Sequence, residues 1–154
     1  MTLTYHIYNS TLDVNILDGL QALHKTIFGE VEDLSSKMTG KPPLVVVTAM
    51  DAERIIGYKI GYALDNNTFY SWLGGVYPRY RNHGIASTLM KKQHHYLRET
   101  GYKVVQTKTM NKWRGMLVLN IKSGFDVVAI CTDEKGLHKI ILEKHLLQSA
   151  NASV

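Results

Sequence analysis

The sequence predicts a mixed α/β fold with six to seven mostly antiparallel strands, about four helices and one parallel pair of strands. Three observations carry this expectation. Residues 44–76 read as three short strands separated by two turn segments, Asp51-Ala52-Glu53-Arg54 and Asp65-Asn66-Asn67. Residues 84–100 carry Ile85, Leu89 and Leu97 at helical spacing. The strand before that helix and the strand after it are therefore separated by a crossover long enough to lay them parallel, with right-handed connection.

The elements follow in order. Leu3 to Tyr8 reads as a first strand, and Ile16, Leu17, Leu20, Leu23 and Ile27 form the apolar stripe of a helix over 14–28. Gly29 breaks that helix, a short second helix is expected over 30–37, and Thr39-Gly40-Lys41-Pro42-Pro43 closes the region. Leu44 to Met50 is Val-rich and reads as a buried strand, Ile55 to Leu64 as its return, and Thr68 to Val76 as the third. After the helix over 84–100, capped by Gly101, Tyr102 to Met110 is the next strand. A helix over 112–123 ends at Gly124, and strands over 125–132 and 137–146 flank the turn Asp133-Glu134-Lys135-Gly136. The last strand is expected at a sheet edge, where a second copy could pair with it.

With 154 residues, 45% apolar and 20% charged, the chain is expected to fold as one domain, 1–154, without staples. No apolar run is long enough to cross a bilayer, and the first residues lack the basic start and apolar block of a secretion signal, so a cytoplasmic protein with no membrane partner is expected. The single Cys131, in the run Val127 to Cys131, reads as a small buried hydrophobe. Eighteen Lys and Arg against 13 Asp and Glu leave a charge of +5, which suits a polyanionic ligand. Nucleic acid is the competing class. The basic residues Arg79, Arg81, Lys91, Lys92 and Arg98 are better accounted for by a phosphorylated small molecule. His83, His94 and His95 read as solvent-facing or near phosphate, and no metal is expected because nothing else is spaced to complete a site.

The densest signal is Val76-Tyr77-Pro78-Arg79-Tyr80-Arg81-Asn82-His83-Gly84-Ile85-Ala86, in which a strand ends, a basic turn follows and a helix opens. The first turn of that helix presents N–H groups and the positive end of the dipole, Gly84 admits a close anion, and the small Ala86 leaves the approach open. Arg81 adds a charge-assisted contact. Arg81, Gly84 and Ala86 resemble the pyrophosphate loop of the GNAT acetyltransferases, Arg or Gln, two residues, Gly, one residue, Gly or Ala. Asn111 and the pair Gly124-Phe125 fall where that family places them, so the resemblance extends over about the whole chain.

The resemblance implies acetyl-coenzyme A as cofactor, lying where a central pair of parallel strands splays apart. Arg81, Asn82, His83, Gly84, Ile85, Ala86 and Ser87 would take its pyrophosphate, the main chain of Leu73, Gly74, Gly75 and Val76 its pantetheine, and the Asn111 amide its arm. Two alternatives stand beside these: Gly74 and Gly75 as a bulge or bend, and Asn111 as an N-cap. The implied reaction is transfer of an acetyl group to a primary amine of a small molecule or a protein.

That chemistry needs a neutral amine, stabilisation of the carbonyl oxyanion and a proton for the departing thiolate. Many members of the family use a tyrosine four residues before the Gly-Phe pair as the donor, and here that position is Asn120. Asn cannot give up a proton near neutral pH. A thiol with a pKa near about 8.5 leaves with partial help, so placement of the amine beside the thioester is expected to dominate. Glu30, after the Gly29 break, is the candidate base and a substrate contact, with His24 close by. Tyr70 and Trp72 alternate onto one face of their strand and could bind the acceptor by stacking or cation–π contact, or pack in the core. The missing tyrosine also leaves a second expectation, a non-catalytic acyl-coenzyme A binding or sensing domain.

Overall fold

A computed structural model describes residues 1–30 and 33–147. It contains seven strands and four α-helices among the described residues: β1 (Leu3–Tyr8), α1 (Val14–Phe28), α2 (Leu34–Met38), β2 (Leu44–Asp51), β3 (Arg54–Ala63), β4 (Thr68–Val76), α3 (Ile85–Glu99), β5 (Val104–Thr109), α4 (Arg114–Lys122), β6 (Asp126–Thr132) and β7 (His138–His145). A single 3₁₀ turn, Pro78–Tyr80, precedes α3. The fold class is the expected one, a mostly antiparallel seven-stranded sheet whose one parallel pair is β4 with β5. The second helix is shorter than expected and begins at Leu34; part of its expected range, residues 31 and 32, lies outside the described residues.

Contacts divide the chain into two compact units. The described residues of Met1–Tyr62 with Leu73–Gln93 form the first, and Ala63–Trp72 with the described residues from His94 onward form the second. In the first unit β1, β2 and β3 pair antiparallel, from Leu3↔Asp51 through Leu44↔Tyr62, with an irregularity at Ala49/Met50. The pleat sorts β3 onto two faces. On one, His24 and Leu20 of α1 are buried, and His24 Nδ1 hydrogen-bonds the Tyr58 hydroxyl at 2.5 Å. On the other, Val47 and Ala49 pack with Ile85 and Leu89 of α3.

α1 forms here because Asp13 caps it, its carboxylate accepting the Ile16 N–H at 3.0 Å, and because Gly29 ends it in the left-handed region at φ 99°. Two further glycines let α1 approach the strands. A Cβ on Gly19 would stand 2.9 Å from the Ile55 side chain, and one on Gly75 would stand 2.7 Å from that of Ile27.

In the second unit the strand order is β4, β5, β7, β6. The parallel register runs from Thr68↔Val104 to Ser71↔Thr107, where the Thr107 hydroxyl donates to the Ser71 carbonyl at 3.0 Å. β7 lies between β5 and β6, so the outer strand is β6 and the expectation that the last strand forms the edge is corrected. The hairpin turn lays β7 back against β5, leaving β6 outside. Every residue of β6 is exposed, including Cys131, which is not the buried hydrophobe that the apolar run predicted. Composition identified a strand but not its place in the order. His94 is a second correction: it is 2% exposed, not solvent-facing, with its ring 5.6 Å from Phe125 and its Nδ1 3.4 Å from Lys144 Nζ. Its neighbour His95 stays exposed.

Candidate functional site

The turn from β4 into α3 is built around two left-handed residues, Asn82 at φ 66° and Gly84 at φ 75°. Intrahelical bonding begins when Thr88 N–H donates to Gly84 C=O at 3.0 Å, and the Thr88 hydroxyl reaches the same oxygen at 2.9 Å. The N–H groups of Ile85, Ala86 and Ser87 therefore precede the first helical bond, at the positive end of the dipole. Where a Gly84 side chain would stand there is nothing within 4 Å. Left-handed glycine, open space in front of it and a 15-residue helix behind it make a cradle suited to a diphosphate.

The turn is held by hydrogen bonds. Tyr77 N–H donates to Ile56 C=O at 2.8 Å, fixing the end of β4 to the start of β3. The Tyr80 hydroxyl donates to Asp51 Oδ2 at 2.6 Å, and this bond above all holds the Asp51 carboxyl below its usual range. The same contact pushes the Tyr80 phenol up. Arg81 is exposed and its Nε donates to Val76 C=O at 3.3 Å. Asn82 and His83 are exposed beside it. Ile85 is 2% exposed, so its side chain anchors the helix start while its N–H faces the turn.

Leu73, Gly74 and Gly75 are half-buried and Val76 is buried. The two glycines have ordinary φ values and are explained by close approach: Gly75 by Ile27 of α1, and Gly74 by β3, where a Cβ would stand 3.1 Å from the Tyr58 carbonyl oxygen and 3.5 Å from Lys59 Cγ. Lys59 was not singled out from the sequence. It is 7% exposed, and burial alone pushes its ammonium down to about 8. The available signal was a lysine between Gly57 and Gly61 in an otherwise apolar strand.

In the second unit, Tyr70 and Trp72 are half-buried on β4 while Phe69 and Ser71 are buried, which is the expected alternation. The Lys108 ammonium lies 5.6 Å from the Tyr70 ring centre. Asn111 is exposed in the turn after β5 and does not cap α4, whose N-cap is Trp113. Asn120 is 2% exposed in the last turn of α4, and its carbonyl oxygen accepts the N–H of Phe125 at 3.0 Å. Gly124 ends the helix at φ 100° and sends Phe125 into the core at 3% exposure. Glu30 is exposed after the Gly29 cap. Among the described residues no group of three or more His, Cys, Asp or Glu is placed to hold a metal, and no helix is long and apolar enough to cross a membrane.

The chain matches the acetyltransferase (GNAT) family over residues 8–114, which contain the whole β4 to α3 turn. No curated protein sequence matches it. Among solved structures, a GNAT-family protein from Desulfovibrio desulfuricans superposes with a TM-score of 0.79 at 16% identity, covering 95% of this chain and 100% of that one. The ribosomal-protein-S18-alanine N-acetyltransferase of Escherichia coli gives 0.75 at 13% identity, covering 97% and 98%. A GNAT acetyltransferase from Elizabethkingia anophelis with acetyl-CoA bound gives 0.69 at 23% identity, covering 94% and 98%.

Proposed function

Because this chain belongs to the GNAT acetyltransferase family, whose donor is acetyl-coenzyme A, we propose that it acts as one N-acetyltransferase domain on a primary amine of a small molecule or a protein. Direct transfer in a ternary complex is the proposed mode. The observation that carries the reading is Gly84, left-handed with open space before it at the start of α3.

When bound, acetyl-coenzyme A supplies an activated acyl carbon and a thiolate leaving group with a free-thiol pKa near about 8.5. The protein's own residues do the rest. Main-chain N–H groups of Gly84, Ile85, Ala86 and Ser87 bind the diphosphate, helped by Arg81, Asn82 and His83. The main chain of Leu73, Gly74, Gly75 and Val76 pairs with the amides of the arm. Support for this comes from the parallel register, which ends at Ser71 while β4 runs on to Val76. The Asn111 amide takes a further contact on the arm, a role favoured by Trp113, and not Asn111, capping α4.

Glu30 accepts the proton of the acceptor amine, directly or through one water, and Tyr70 and Trp72 contact the acceptor. Asn120 orients the leaving sulfur by hydrogen bonding without donating a proton, so placement supplies most of the rate. A free-thiol release assay over a panel of amines tests this. Turnover above the buffer rate on any amine supports the enzyme. The second reading is an acyl-coenzyme A sensor, favoured by Asn120 in place of the tyrosine donor; tight binding with no turnover on the whole panel would select it.

A further inference from the structure

One buried cation in the first unit is left without a counter-charge. Lys59 lies on the α3 side of β3, the same face as Gly57, whose Cβ would touch Ile85 and Leu89 of α3 at 3.2 Å. Its cross-strand neighbour is Val47. Its stem lies against Gly74, where a Cβ would meet Lys59 Cγ at 3.5 Å and the Tyr58 carbonyl oxygen at 3.1 Å. One helical turn beyond Leu89 on the same stripe of α3 is Gln93, 0% exposed, with neither Nε2 nor Oε1 hydrogen-bonded among the described residues.

The groups that share this face are Val45, Val47 and Ala49 on β2, Gly57 and Gly61 on β3, Gly74 and Val76 on β4, and Ile85, Leu89 and Gln93 on α3. None of them titrates. The titratable groups further out on the face include Tyr70 of β4, Tyr5 of β1 and Lys92 of α3, the Lys92 ammonium lying 6.0 Å from the Tyr5 ring centre. Among the described residues no carboxylate contributes to the electrostatics of the ammonium, which burial alone perturbs.

A lysine buried without a counter-charge and an unpaired buried amide both cost stability, and such groups are retained where a ligand completes them. We propose that Lys59 and Gln93 are binding residues for the donor's pantetheine arm, Lys59 donating a hydrogen bond to an amide carbonyl oxygen of the arm as it lies along Gly74. The inference rests on the reading that Leu73 to Val76 holds that arm. It adds two side chains to a segment whose other contacts are main-chain. Because the ammonium form makes the bond, arm binding weakens as pH rises through the range in which Lys59 loses its proton.

The test compares two probes on the full chain by calorimetry: coenzyme A, and 3′-phospho-ADP, its nucleotide half without the arm. Lys59→Met is expected to bind coenzyme A about tenfold more weakly, the worth of one charge-assisted hydrogen bond, and 3′-phospho-ADP as the native protein does. Gln93→Leu is expected to show a smaller loss on coenzyme A alone. Equal coenzyme A affinity in the native protein and Lys59→Met overturns the inference while leaving the donor reading intact. Failure of both probes to bind the native protein removes the donor reading and the inference with it. A second measurement needs no variant: carbon NMR of the Lys59 side chain, titrated with and without coenzyme A. The lysine is expected to keep its proton to higher pH in the complex, and an unchanged midpoint overturns the proposal.

Discussion

The molecule makes the same kind of connection twice, and the two are built differently. β4 passes into α3 through residues 77–84, and β5 passes into α4 through residues 110–113. Each places a glycine near the helix start, Gly84 in one and Gly115 in the other, and a Cβ on either would have nothing within 4 Å. Gly84 is left-handed at φ 75°, whereas Gly115 has an ordinary φ inside the first turn of α4. The first turn is held by Tyr80 on Asp51 and by Arg81 on Val76; the second has Trp113 as an N-cap with no side-chain cap bond. A helix start is a common feature. What distinguishes the first is a backbone held in a shape that only glycine adopts readily, in front of empty space.

The polar groups behind the feeding strands differ in the same sense. Beside β5, Gln106 donates to Glu143 Oε2 at 2.9 Å, a satisfied pair. Beside the end of β4, Lys59 has no counter-charge and Gln93 no partner among the described residues.

The largest expected effect breaks the comparison at its centre. Gly84→Glu puts a carboxylate and a strained backbone into the cradle and should weaken coenzyme A binding by about a hundredfold or more, whereas Gly115→Glu should leave it unchanged. Calorimetry on both variants, with circular dichroism to confirm folding, measures the contrast. Next in size is the stability released by Lys59→Met. The lysine's folded pKa of about 8 lies below its ordinary 10.5, so the folded state binds fewer protons between those values and stability rises with pH across that range. Below pH 8 the full penalty is present, about 3 kcal/mol as an upper figure. Without donor, Lys59→Met should therefore be more stable than the native protein in denaturant melts at pH 7, and the difference should shrink towards pH 10.

Smaller effects sharpen the contrast between the glycines. Gly84→Ala should cost about 1 kcal/mol, because alanine resists the left-handed region, and Gly115→Ala should gain up to about 1 kcal/mol, because it only adds helix propensity. Thermal melts of the two should move in opposite directions. Smallest is Tyr80→Phe, which removes the main cause of the depressed Asp51 carboxyl; its titration midpoint by NMR should rise towards the ordinary carboxylate range.

Much of this was legible in the sequence because it was local. Apolar spacing marked α1 and α3, Gly29, Gly101 and Gly124 marked helix ends, and Arg81, Gly84 and Ala86 marked the cradle. Placement in the sheet was not local. Nothing in Val127 to Cys131 shows that β7 will slip between β5 and β6, and so Cys131 read as buried when it is exposed. His94 read as solvent-facing or near phosphate, yet it lies against Phe125, which is distant in sequence. Lys59 was missed for the same reason. A lysine in a strand is ordinarily an exposed position, and only the packing of α3 over β3 buries it.

The central claim is that main-chain amides at the start of α3 grip the donor's diphosphate. Amide NMR on the isotope-labelled chain, titrated with coenzyme A, tests it most directly. The account predicts that the largest shifts fall on the N–H signals of Gly84, Ile85, Ala86 and Ser87, with smaller ones at the start of α4. Saturable binding that leaves these four signals in place would contradict it.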